Sequence, residues 1–228
     1  MQNITQSPTS PLVELSNVCL SFEENRKVLN NVSLKIFRGE FVVLHGDTGC
    51  GKSSVLRLIA GLLNPTSGAV RVAGEDVQEF NSIQRRWLRR AIGLMLQNST
   101  LLEDRSILEN VMLPALAAGA STDDARQAAY AALARCHIAD TAEKMPIDLS
   151  SGQRQKVCLA RAVVNQPVLI LADEPAAHLD ANNAQTLINL LGEFASAGVT
   201  IIAASHLLVV PNDIPYREVK FASTEGGF

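Results

Sequence analysis

Short apolar runs recur along the chain, and most of them stop abruptly at polar or glycine-rich residues. Leu12 to Leu20 alternates loosely between apolar and polar, which predicts an edge β-region, and Val28 to Phe37 offers a second. Phe41 to Leu44, Ile92 to Leu96, Val168 to Ala172 and Val199 to Ala204 are continuously apolar, the pattern of buried strands. Asn64-Pro65-Thr66-Ser67-Gly68 is a turn signal, followed by a short strand at Val70-Arg71-Val72. Apolar residues at helical spacing predict helices over Ser54 to Ala60, Ala125 to Cys136, Arg154 to Val164 and Ala184 to Phe194. Between 98 and 165 strand signal is sparse and alanine frequent, so this stretch reads as a helical subdomain inserted between core strands. Within it, Ser121 to Asp124 has the form of a capping box, with the Ser121 hydroxyl on the N3 amide and Asp124 reaching back.

Strand, loop and helix surround one motif. Gly46-Asp47-Thr48-Gly49-Cys50-Gly51-Lys52-Ser53 fits G-x-x-x-x-G-K-[ST] at every specified position, after the Phe41 strand and before the Ser54 helix. Glycines without a Cβ let the backbone wrap a polyphosphate and aim its N–H groups inward. Lys52 then supplies charge to the outer phosphates, and the Ser53 hydroxyl can ligate Mg²⁺. Two later strands also end in reactive residues. Val168 to Ala172 runs into Asp173-Glu174, adjacent carboxylates that are costly to desolvate without a cation or a polar network. In a phosphate-loop protein Asp173 fits the Mg²⁺ sphere and Glu174 the attacking water. Val199 to Ala204 ends in Ser205-His206. In open parallel sheets ligands lie outside the carboxyl ends of the strands, so all three endings share one crevice. Phe22, ahead of the charged turn Glu23 to Lys27, reads by itself as a core or strand residue or as a purine-stacking aromatic. Cys50 lies inside the phosphate loop, where alkylation by a maleimide is expected to inactivate and ATP to protect.

Composition narrows the setting. The 228 residues are 47% hydrophobic and 4% aromatic, enough for one domain with a subdomain. A net charge of −3 gives no reason to expect nucleic acid as a partner. Cys19, Cys50, Cys136 and Cys158 form no C-x-x-C pair, so no zinc site or disulfide framework is indicated and a reducing, cytosolic setting is expected. No apolar run approaches the roughly 18 residues of a membrane span. Residues 1–11 read as a disordered polar tail. Gln84 to Arg90 gathers four arginines around Trp87, either a solvated helix face with Trp87 packed beneath or a surface for anionic membrane or acidic protein.

Leu149-Ser150-Ser151-Gly152-Gln153 decides between phosphate-loop families. It resembles the L-S-G-G-Q signature of ATP-binding-cassette (ABC) ATPases, with serine at the first glycine, and the similarity runs from about Leu12 to Val210. Gln97 matches the family's Q-loop, Ala177-His178-Leu179-Asp180 its D-loop and His206 its switch histidine; Phe22 falls where the family carries its adenine-stacking aromatic. The resemblance implies an α/β fold, a P-loop NTPase core with an antiparallel β-subdomain and the inserted helices, forming one domain over 12–228. It also implies that ATP lies between the phosphate loop of one copy, Ser54 included, and Ser150 to Gln153 and Asp180 of another, so that ATP binding makes a homodimer. Glu174, His206, Lys52 and Gln97 would carry hydrolysis, with Ser53, Gln97 and Asp173 around Mg²⁺. Departures are Ser151, Pro175-Ala176-Ala177-His178 for the commoner P-T-x-N, and Leu207 for the usual aspartate. Leu88 to Gly93, Asn110-Val111, Ala118 to Asp124 and Ala160 to Asn165 resemble a bacterial cell-division branch of the family. That branch implies an integral membrane partner controlling peptidoglycan hydrolysis, at the cytoplasmic face of the inner membrane. Cassettes of lipoprotein release and macrolide export, or a nucleotide-dependent scaffold with weak turnover, are the alternatives.

Overall fold

The structure is a computed structural model that describes residues 10–22, 27–96 and 101–221. The first nine residues of the expected tail, most of the charged turn after Phe22, and Gln97 lie outside the described residues.

A parallel sheet forms the centre. It is ordered β6 (Ile92–Met95), β7 (Leu169–Asp173), β8 (Thr200–Ser205), β3 (Phe41–Gly46) and β9 (Arg217–Phe221). The continuous apolar runs are explained by burial on both faces, because alternate residues of each central strand enter different cores. Phe41, Val43, Ile170, Ala172, Ile201 and Ala203 join one apolar cluster with the helices that follow β6. Val42, Leu44, Leu169, Leu171, Ile202 and Ala204 join the other, under helix α1 (Lys52–Ile59). A second, antiparallel sheet covers that side, ordered β2 (Lys27–Ile36), β1 (Val13–Ser21), β4 (Ser67–Val72) and β5 (Glu75–Asp76).

Between β6 and β7 the chain is helical, as the sparse strand signal predicts. Helices α3 (Ile107–Ala117), α4 (Thr122–Arg135) and α5 (Ser151–Val163) pack on one another and on β6. Ser121 caps α4 by accepting from the Asp124 N–H at 3.2 Å. The reciprocal half of the expected box differs: the Ser121 hydroxyl donates to the Asp124 carboxylate at 2.6 Å instead. Helix α6 (Ala181–Ser196) follows β7.

Two sequence expectations are corrected. Trp87 on α2 (Ser82–Ala91) is 63% exposed rather than packed beneath the arginines, with the Arg90 guanidinium 5.2 Å above its ring. The inward position of this short helix belongs to Leu88, one step and about 100° further round. Strand β9 was not anticipated. Its sequence Arg-Glu-Val-Lys-Phe carries three charges in five residues, an edge-strand composition with little apolar signal, yet it pairs in parallel with β3 from Val42↔Arg217 to Gly46↔Phe221.

Candidate active site

Register brings the reactive strand endings level. Asp173 pairs with Ala204 across β7 and β8, and His45 pairs with Ser205 across β3 and β8. The phosphate loop, Glu174 and His206 therefore leave the sheet side by side at its carboxyl edge, around an open cleft of about 370 Å³. Phe22, Val28, Thr48, Gly49, Gly51 to Ser54, Glu174, Ala177, His178 and His206 line it.

Close approach dictates glycine at two loop positions. A Cβ on Gly46 would meet the Phe221 carbonyl oxygen at 2.2 Å, and one on Gly51, at φ +99°, would meet Leu29 at 2.6 Å. Gly51 is also the N-cap of α1, which has no side-chain cap and no acidic residue in its first turn. The leading N–H groups of this helix are thus available to an anion. Lys52 is 5% exposed; its ammonium donates to the Gly46 and Asp47 carbonyls at 2.6 and 2.8 Å and lies 3.7 Å from the Cys50 sulfur. Cys50 itself is 3% exposed, with its thiol turned beneath the loop toward Gly46. That corrects the expectation of ready alkylation, since a maleimide needs a thiolate in reach of solvent.

Asp173 is buried at the end of β7. One carboxylate oxygen accepts the Ser53 hydroxyl at 2.7 Å, while Oδ2 is buried without a partner. Burial pushes this carboxyl above the usual range, partly offset by the Ser53 hydrogen bond and the Arg57 charge. A buried lone oxygen of this kind is expensive unless a cation completes it. Two hard oxygens, Ser53 Oγ and Asp173 Oδ2, suit Mg²⁺, which keeps waters and phosphate oxygens for its other positions.

Glu174 stands in a left-handed backbone conformation, φ +49°, which costs a non-glycine residue about 1–2 kcal/mol. His206 holds it there. The His206 backbone N–H donates to Glu174 Oε1 at 3.0 Å, and its ring Nδ1 donates to Oε2 at 2.8 Å; the Ser205 hydroxyl lies 3.4 Å from the same oxygen. Because Nδ1 carries the proton toward the carboxylate, Nε2 faces away from the pair and can meet a ligand. A carboxylate oriented in this way can position and polarise a water.

Ser150 to Gln153 and Asp180 do not line this cleft. Ser150 is the N-cap of α5 and exchanges both bonds of a capping box with Gln153, at 3.0 and 3.3 Å. Ser151 is exposed on the first turn of that helix, so the signature-like motif is itself a helix N-terminus rather than a loop before one. Gly152 lies under α6, where a Cβ would come within 2.8 Å of the Asn183 side chain. Asp180 caps α6, accepting the Asn183 N–H at 3.0 Å, and Asn183's bonds hold its carboxyl below the usual range. Asp180 and the signature-like motif are therefore joined through Asn183, away from the phosphate loop. His178 was missed as a cleft residue although its neighbours were singled out; its left-handed backbone, φ +64°, is not readable from sequence.

The sequence pattern that defines ABC transporters matches residues 29–177. The chain belongs to the ABC transporter family. It is an ATP-binding cassette and an ATPase. It is 38% identical to the cell division ATP-binding protein FtsE of Escherichia coli K12, over 90% of this chain and 93% of that one. It is 36% identical to the lipoprotein-releasing system ATP-binding protein LolD of Buchnera aphidicola, over 86% of this chain and 87% of that one. Among solved structures, a dimeric post-hydrolysis state of the ATP-binding cassette MJ0796 bound to ADP and Pi superposes with a TM-score of 0.78 at 32% identity, covering 86% of this chain and 88% of that one.

Proposed function

We propose that this chain is the ATP-hydrolysing subunit of a cell-division complex of the FtsE/FtsX type, acting on an integral membrane partner that controls peptidoglycan hydrolysis. The observation that carries the reading is the match to FtsE at 38% identity, which spans 90% of this chain and 93% of that protein. Among the described residues no helix is long and apolar enough to cross a membrane, so attachment to the inner membrane's cytoplasmic face is assigned to the partner.

In this reading Phe22, 56% exposed at the mouth of the cleft, stacks on adenine. The N–H groups of Gly49 to Ser53 and the Lys52 ammonium hold the β- and γ-phosphates. Ser53 and Asp173 hold Mg²⁺, joined by Gln97; the ion supplies charge neutralisation on the phosphates. Glu174 orients the attacking water, and the Nε2 of His206 meets the γ-phosphate. The other face of the nucleotide is met by the α5 N-terminus of a second copy, with Ser151, Gly152 and their helix dipole directed at the γ-phosphate and Asp180 beside them. Support comes from the separation of the α5 motif from the cleft, which leaves the phosphate loop open on one side.

The partner's cytoplasmic helix is assigned to the surface between Gln97 and Leu116, which includes the exposed Leu102 and Leu116. Co-purification tests the assignment. An affinity-tagged chain is expected to retain an FtsX-like membrane protein in detergent, and reversal of charge at Glu103 and Arg105 to release it. Retention of a lipoprotein-release or macrolide-export permease instead would overturn the cell-division role while leaving the ATPase in place.

A further inference from the structure

The residue just before the phosphate loop is a histidine, and its surroundings give it a task. His45 sits at the carboxyl end of β3, between β8 and β9, with its side chain 30% exposed. Nδ1 lies 3.1 Å from Glu218 Oε1 on β9, and Nε2 lies 3.3 Å from the backbone carbonyl oxygen of His206. Both partners can only accept hydrogen bonds. A neutral imidazole has one N–H and can satisfy one of them, whereas the imidazolium satisfies both.

The carbonyl that His45 holds belongs to the residue that holds Glu174. His206 donates its backbone N–H and its ring Nδ1 to the two oxygens of Glu174, and the next amide, Leu207 N–H, donates to Ser205 Oγ at 3.2 Å. The His206 backbone is thus tied on one side to the carboxylate and on the other to β3. The geometry points to His45 as a positioning residue for ATP hydrolysis: with Nδ1 against Glu218 and Nε2 against the His206 carbonyl, it fixes the His206 backbone from the phosphate-loop strand and thereby the angle of Glu174. His45 does not itself line the cleft. The inference rests on the proposed roles of Glu174 and His206, and it adds a requirement for β9, since Glu218 is the partner that orients the His45 ring at Nδ1.

Steady-state ATPase kinetics of His45→Leu, Glu218→Gln and the double variant test it, alongside Glu174→Gln and His206→Ala. His45→Leu is expected to lower kcat about threefold to tenfold, the rate equivalent of one hydrogen bond, with KM for ATP and the melting temperature unchanged. Glu218→Gln is expected to fall in the same direction by less, and the double variant to be no slower than His45→Leu. The readout that a merely structural role would not give is the split, a lower kcat with KM for ATP and the melting temperature held. An unchanged kcat, a KM that rises in step, or strictly multiplicative losses in the double variant would overturn the role of His45. Full turnover in Glu174→Gln or His206→Ala would instead overturn the site reading on which it stands.

Discussion

The phosphate loop and the N-terminus of α5, the two surfaces proposed to meet ATP, are built in opposite ways. The loop is buried around Lys52, braced by glycines that tolerate no Cβ, and tied to Glu174 and His206 through the ends of three parallel strands. The α5 N-terminus is satisfied within itself by the Ser150–Gln153 capping box, and presents Ser151 to solvent. One is a pocket with a missing wall and the other a wall with no pocket. In the proposed reading, that difference lets one copy hold nucleotide while two copies complete the site.

Variants that strike one half and spare the other break this comparison apart. The largest effect is expected for Glu174→Gln, a loss of turnover of about 10²-fold or more with ATP binding retained, because only the water-orienting group is removed; ATP release assays against equilibrium nucleotide binding check it. Ser151→Glu places a negative charge on the proposed γ-phosphate face, and turnover is expected to fall about tenfold or more while the lone chain binds ATP as before.

Asp173→Asn separates stability from function. Its folded carboxyl is raised above its unfolded range, so the folded state binds the proton more tightly and stability contributed by that group is complete at low pH and lost as pH rises through the raised pKa. Removing the charge is therefore expected to raise the melting temperature at neutral pH and to abolish Mg²⁺-dependent hydrolysis. The gain should vanish in acid. The smallest effect concerns Cys50: intact-mass spectrometry after brief maleimide treatment is expected to find the half-exposed Cys19 labelled well before Cys50.

How much of this was legible in the sequence follows from how local each signal is. The phosphate loop and the strand endings at Asp173 and His206 are contiguous motifs, and their convergence follows from parallel-sheet topology alone. The burial of Phe41 to Leu44 on both faces is also written in the run itself, which is apolar throughout. Strand β9 was not, because an edge strand needs little apolar surface. His45 escaped notice for a different reason: its partners Glu218 and His206 lie more than 150 residues away, and only register brings them together. Trp87 misled because a tryptophan among arginines is usually packed, whereas Leu88 had already taken the inward position.

Assembly of one ATP site from two copies is open to a direct test by size-exclusion chromatography with light scattering of Glu174→Gln, with and without ATP and Mg²⁺. A mass near 24.5 kDa is expected without nucleotide and a doubled mass with ATP, reversed to the single mass by adding Ser151→Glu. A mass that stays at one chain under saturating ATP, or doubles equally without it, would rule out a site shared between copies.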